Sequence, residues 1–204
     1  MINEGEYDKM KTSISIHNIK LSAKIPGKSL ENIQKSFTNI KKTYNNFIVV
    51  QPDQSDVIFC FFKYPTTGKI KKYRENHVNI TNVKSFHGIK DAISILSINL
   101  SIPIKSIKFK IDCITATSTI VNRKLDIEKF LINNRDLKTQ FNQEKFPGLF
   151  VYVEKCTLIL FNSGKIVIIG VKSFQDLQNT CNWIKNRLAT STIIQSIKNY
   201  SYRS

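Results

Sequence analysis

Hydrophobic and polar residues follow an order along the chain that predicts the same set of elements twice. In the first half the pattern predicts a strand over 13–22, a helix from 29 to about 42, strands over 47–50, 57–63 and 77–84, and a helix from 85. In the second half it predicts a strand over 107–114, a helix over about 125–134, strands over 149–153, 156–161 and 165–171, and a helix over 173–188. Strands in a meander beside helices are typical of an α+β layer with one uncovered sheet face.

Short segments also recur between the two halves. VKSF occurs at 83–86 and again at 171–174, and each copy is followed by apolar residues spaced three, four, three and four apart. That spacing predicts one face of an α-helix behind each copy. TTGKI at 66–70 is matched by NSGKI at 162–166. The sequence therefore predicts a duplicated unit, with a flexible tail over 1–12, a first repeat over 13–101, a second over 102–190 and an extension over 191–204.

Composition predicts a globular protein inside the cell. Hydrophobic residues make up 41% of 204 residues, which suffices for a core. No apolar run approaches the roughly 20 residues of a membrane span, and the N-terminus lacks the apolar centre of a signal peptide. The four scattered cysteines are expected to be reduced thiols, mostly buried.

Enzyme chemistry finds little support in the sequence. Its three histidines are spread out, with no carboxylate at a catalytic spacing, no glycine-rich phosphate loop and no cluster of metal ligands. We therefore predict no catalytic residue, no metal, no cofactor and no small-molecule ligand.

The charge of the chain favours a polyanionic partner. Thirty-one Lys and Arg against fifteen Asp and Glu leave a formal charge of +16. Such an excess favours nucleic acid, because cations that neutralise phosphates release counterions. Abundant Ile, Asn and Lys also fit the coding bias of an A/T-rich genome, which raises Lys content without selection for binding.

One stretch of the second half resembles a known family. FPGL at 146–149, followed by LILFNSGKIVIIGVKS at 158–173, resembles the second-repeat signature of the TATA-box-binding protein family. The first half is similar only at Asn18, the strand that begins at Phe47, and NITNVKS at 79–85. The resemblance implies a saddle-shaped, pseudo-two-fold curved antiparallel sheet with helices on the convex face. It also implies a monomeric initiation factor that binds the minor groove of A/T-rich promoter DNA and recruits the B-type initiation factor and the RNA polymerase machinery.

The resemblance implies two pairs of Phe wedges that kink the duplex. Phe146 and Phe161 match the wedge positions of the second half, and Phe47 matches the first wedge of the first half. The strand VIFCFF allows two registers for the fourth wedge, at Phe59 or Phe61, and Phe59 agrees better with the symmetry of the turns.

Further DNA contacts are implied residue by residue. Phosphate contacts match Lys84, Lys165 and Lys172, with Lys69 as a candidate counterpart of Lys165. Apolar contacts to the groove floor match Ile159 and Val167, while Asn18 and Thr81 match polar contacts near the central base steps. Departures include Lys20, Lys110 and Ile169, which replaces a Thr of the family. The added lysines predict stronger binding to the backbone and weaker discrimination of A·T from G·C.

The loop before FPGL is where the family docks the B-type factor. Glu144 keeps a matching acid there, whereas Lys145 replaces an apolar residue. The insertion 64–76 is either a partner surface or a solvated run of charge. The composition bias suggests a large DNA virus or an A/T-rich parasite, and so a place in the nucleus, a viral factory or a virion. Two alternatives remain: a scaffold in a transcription complex that does not bend DNA, or a basic RNA-binding domain.

Overall fold

The computed structural model describes residues 13–26, 30–44, 47–62, 75–119, 123–189 and 192–194. The chain forms two compact units, one over residues 16–115 and the other comprising the remainder. No helix in the described ranges is long and apolar enough to cross a membrane.

The unit over 16–115 places a sheet against two helices. Its elements are β1 Ser13–Pro26, α1 Leu30–Ser36, β2 Ile40–Thr43, β3 Phe47–Val50, β4 Ile58–Phe62, β5 Glu75–Val83, α2 Phe86–Leu100, a short 3-10 helix Ile104–Ser106, and the first part of β6 Lys108–Thr119. The strands lie in the order β2-β3-β4-β5-β1, and each of these pairs is antiparallel. Alternate residues of β1, beginning at Ile19 and Leu21, are fully buried, as are Phe59, Phe61, Val78 and Ile80. One sheet face is therefore core and the other is exposed.

The second unit has the same plan. Its elements after β6 are β7 Arg123–Leu125, α3 Ile127–Asn133, β8 Lys138–Asn142, β9 Phe146–Val153, β10 Cys156–Phe161, β11 Lys165–Val171, α4 Phe174–Leu188 and β12 Thr192–Ile194. The strand order is β6-β11-β10-β9-β8, and β12 pairs with β7 apart from that sheet. Leu149, Leu158, Leu160 and Ile168 are fully buried on the face that carries the core.

The helices predicted behind the two VKSF segments are confirmed. The Ser85 hydroxyl accepts a hydrogen bond from the Gly88 N–H at 2.9 Å, and the Ser173 hydroxyl accepts one from the Asp176 N–H at 3.0 Å. Each serine thereby satisfies an N–H group that the first helical turn leaves unpaired. The predicted apolar positions behind them are buried, from Ile89 to Leu100 and from Leu177 to Leu188. Phe174 is an exception, since it is 48% exposed.

Several element boundaries differ from the prediction. Helix α1 ends at Ser36, and the residues predicted to continue it form strand β2 at Ile40–Thr43. Strand β8 was missed, β9 begins at Phe146 instead of residue 149, and β6 extends to Thr119. Both β2 and β8 are short edge strands with mostly exposed side chains. Such strands lack the clean apolar alternation by which a strand is recognised. Residues 64–74 of the predicted insertion, including Lys69, lie outside the described residues.

Candidate nucleic-acid interface

Two Phe rings meet on the exposed face of the second unit. Phe161 is opposite Gly148 in the ladder, which places it diagonally from Phe146. The ring centroids of Phe146 and Phe161 are 5.8 Å apart with planes at 67°, an edge-to-face contact. Phe146 is 38% exposed. Because Leu149 and Leu160 point into the core, the alternation of the strands places these two rings on the opposite face.

Gly148 creates the space in which these rings meet. A Cβ atom at this position would lie 2.5 Å from Cε1 of Phe146, 2.6 Å from Cγ2 of Ile159 and 3.1 Å from Cε1 of Phe161. Any side chain here would therefore push the aromatic rings away from their present positions. The glycine of FPGL thus sets the spacing of the Phe pair.

Substitution of Gly148→Ala tests that spacing. We expect the free energy of unfolding to fall by about 1 kcal/mol, since the atoms displaced belong mainly to side chains on the exposed face. If the Phe pair inserts into DNA, as the resemblance implies, the larger effect should be on bending of the DNA, because the rings would no longer lie together. Chemical denaturation and energy transfer between labelled DNA ends measure the two effects, and an unchanged bend would contradict the assigned role of Gly148.

The first unit carries a second aromatic group on its exposed face. Phe47 lies directly opposite Phe62, with ring centroids 5.8 Å apart. Tyr44 stacks on Phe47 at 4.2 Å, and Phe62 is 36% exposed. The structure therefore places Phe47 and Phe62 together at the end of the β3–β4 ladder.

The prediction of Phe59 as the fourth wedge is wrong. Phe59 is fully buried in the core, where its ring lies 6.3 Å from those of both Phe37 and Phe61. Phe61, the other register considered, is also fully buried. Two consecutive Phe residues at the end of β4 point to opposite faces, and Phe62 is the one that is exposed. Sequence spacing could have found it, because Phe62 follows Phe47 by the same 15 positions by which Phe161 follows Phe146.

The remaining predicted contacts of the second unit lie on or beside the same face. Ile159 is paired with Val167, and both are partly exposed. Lys165 is exposed at the start of β11, and Lys172 is exposed directly after its end. Ile159 and Val167 therefore form an apolar surface, and an exposed lysine lies at each end of strand β11.

The predicted polar contacts of the first unit are partly engaged within the protein. The Asn18 Oδ1 atom accepts a hydrogen bond from the Asn82 N–H at 2.8 Å, and Thr81 is half-buried opposite Ile58. Lys84 Nζ lies 2.6 Å from Asp56 Oδ2. In this unit a lysine that is predicted to bind phosphate therefore already forms an ion pair with an acid.

An acidic group also lies beside Lys110, one of the lysines predicted near the centre of the interface. Lys110 lies 3.5 Å from Asp112, whose carboxylate accepts a hydrogen bond from the Ser22 hydroxyl. Burial raises the pKa of the Cys60 thiol, and the nearby charge of Lys20 opposes this only in part. Sequence reasoning missed Asp112, because nothing in the local pattern reveals its cross-strand partners.

Glu144 and Lys145 are both exposed in the turn between β8 and β9. The Lys145 N–H donates to the Asn142 carbonyl at 3.1 Å, which closes the turn directly before Phe146. Over the described ranges, no group of three or more His, Cys, Asp or Glu side chains is arranged to hold a metal ion.

The chain is similar to proteins of one known family. A sequence model of the family described as transcription factor TFIID (or TATA-binding protein, TBP) matches residues 108–190. The TATA-box-binding protein of Pyrococcus furiosus is 32% identical over 91 residues, which are 43% of this chain and 45% of that protein. The match thus spans less than half the length of that relative. The TATA-box-binding protein of Methanocaldococcus jannaschii is 26% identical over 196 residues, covering 92% of this chain and 98% of the relative.

A solved structure shows the same fold. The structure entitled Methanococcus jannaschii TBP superposes with a TM-score of 0.68 at 24% identity, covering 86% of this chain and 98% of that one. The fold class predicted from the sequence is thereby confirmed.

Proposed function

We propose that this chain, as a member of the TATA-box-binding protein family, is a transcription initiation factor. It would bind A/T-rich promoter DNA in the minor groove and bend it. One observation carries the proposal. Each unit presents a pair of contacting Phe rings on the sheet face opposite its core, Phe146 with Phe161 and Phe47 with Phe62. In the proposed mechanism each pair would insert into a base step.

An aromatic wedge suits this task for physical reasons. A flat, apolar and stiff ring can separate two stacked bases, and it offers no hydrogen bond that water would satisfy better. Unstacking costs a few kcal/mol per step, which the larger contact surface of bent DNA offsets. Ile159 and Val167 would press on the floor of the groove, where A·T pairs lack the guanine amino group that obstructs such contact.

Exposed lysines would hold the DNA backbone on either side of the wedges. Lys165 and Lys172 would neutralise phosphates and thereby set the position of the protein without reading sequence. Asn18 and Thr81 would contact the DNA near the central base steps. The turn that holds Glu144 and Lys145 is the proposed docking site for a B-type initiation factor, through which RNA polymerase would be recruited.

A duplex with labelled ends tests the proposal. At fixed salt, the protein should bind an A/T-rich duplex at least about tenfold more tightly than a G/C-rich duplex, and energy transfer between the ends should rise on binding. Equal affinity for single-stranded RNA would contradict the proposal and favour an RNA-binding domain.

A scaffold role without bending is the second candidate. It is favoured by the two acids, Asp56 and Asp112, that lie beside lysines predicted to contact DNA. Tight association with initiation factors, together with an unchanged end-to-end distance of the DNA, would support the scaffold and exclude the wedge mechanism.

A further inference from the structure

The backbone of Asp56 is held near Lys84 by a hydrogen bond from Asn82. Its carboxylate lies 2.6 Å from Lys84 Nζ, and the hydrogen bond and charge of that lysine lower the pKa of the Asp56 carboxyl. The Asn82 side-chain amide donates to the Asp56 carbonyl at 2.8 Å. Asn82 itself adopts a left-handed backbone with φ of 63°, and its N–H donates to Asn18. These contacts hold the acid next to the lysine.

The second unit has the opposite charge at the corresponding position. Ile58 pairs with Thr81 in the first unit, and Thr157 pairs with Ile169 in the second, so the two ladders correspond. Counting back two residues from Ile58 and from Thr157 gives Asp56 and Lys155. An acid in one unit is therefore a base in the other.

The different charge gives the lysines of the second unit other partners. Lys155 forms an ion pair with Asp176 at 2.9 Å, on the first turn of α4, and hydrogen bonds from Ser173 and Lys155 lower the pKa of that carboxyl. The residue that corresponds to Asp176 in the first unit is Gly88. None of the ion pairs among the described residues involves Lys172, the counterpart of Lys84.

We infer that Asp56 is an internal competitor for the phosphate that Lys84 would bind, so that the first unit holds the DNA backbone more weakly than the second. This inference rests on the proposed function. A phosphate that reaches Lys84 must displace the carboxylate and then remain close to its negative charge. Both partners are largely exposed, at 58% and 67%, so the pair opens readily and competes without blocking the site. The asymmetry gives the two halves of the protein unequal phosphate contacts.

Substitution of Asp56→Asn isolates the competitor. The change keeps the size of the side chain and the turn, and it removes the charge that holds Lys84. Affinity for an A/T-rich duplex should rise about fivefold at 0.1 M salt, and the slope of log K against log salt should steepen by about 0.9, the contribution of one phosphate contact.

Asp53→Asn is the matched control. It removes an equal charge from the same turn, where Asp53 accepts a hydrogen bond from Asn39, and it leaves the Asp56–Lys84 pair in place. Its affinity should stay within about twofold of the wild type, with an unchanged salt slope. An equal gain in both variants, or no gain in Asp56→Asn, would overturn the inference.

Two lysine variants separate this inference from the proposed function. Lys172→Met should weaken binding and reduce the salt slope by about 0.9, whereas Lys84→Met should have a large effect only in the Asp56→Asn background. If Lys172→Met weakens binding and Asp56→Asn leaves it unchanged, only the inference fails. If DNA binding by the wild type shows neither A/T preference nor bending, the proposed function fails as well. Circular dichroism of each variant checks that the fold is retained.

Discussion

Replacing Phe146 and Phe161 together by Ala should abolish DNA bending and weaken binding to an A/T-rich duplex by about a hundredfold, which is roughly 2.7 kcal/mol. The rings lie on the exposed sheet face, where they contact each other, and the ring of Phe146 also lies 5.3 Å from that of Phe150. Without them the pair of contacting rings that would separate a base step is lost. The remaining association should come from the lysines and depend strongly on salt.

The protein itself should tolerate this double substitution. Because Phe146 is 38% exposed and Phe161 is partly exposed, the free energy of unfolding should change by only about 1 kcal/mol. Phe174→Ala is the matched control, since it removes a Phe that is 48% exposed on helix α4, away from the sheet face. Energy transfer between labelled DNA ends measures the bend. A double variant that still bends DNA as the wild type does would exclude the wedge role.

Phe59→Ala should destabilise the protein by about 3–5 kcal/mol, because it leaves a cavity in the core where Phe59 packs with Phe37 and Phe61. Phe62→Ala should instead leave the free energy of unfolding within about 1 kcal/mol and reduce the bend. The two residues lie three positions apart on one strand, so the comparison tests the assignment of faces directly. Urea denaturation measures the first effect and energy transfer the second.

The opposite outcome would restore the earlier assignment. Suppose that Phe59→Ala left stability unchanged and removed the bend, while Phe62→Ala unfolded the protein. The side chains of strand β4 would then have to point to the faces opposite to those assigned. Val50→Ala offers a control for the core, since Val50 is fully buried opposite Phe59 in the same ladder. It should cost stability without a specific effect on bending, provided that measurements are made where the variant remains folded.

The second-half aromatic pair could be predicted because its signal is local. FPGL and SGK stand close to Phe146 and Phe161, and the strands between them alternate regularly around Leu149 and Leu160. The structure places both rings where that pattern predicts, on the exposed face. Their contact with DNA stays a prediction. The role of Gly148, by contrast, could be assigned only from the structure, since the three atoms nearest to the position of an added Cβ come from two strands.

Elements whose apolar spacing repeats along a single segment could be predicted from the sequence alone. The two helices that follow Ser85 and Ser173 are examples, because a helix buries a stripe set by residues three and four apart, and a serine caps it within the same turn. That Phe62, and not Phe59, joins Phe47 became clear from the folded sheet, since the register between strands depends on the turn that joins them. The contact of Asp56 with Lys84 also became clear only there, because these residues are 28 positions apart and the order of strands in the sheet brings them together.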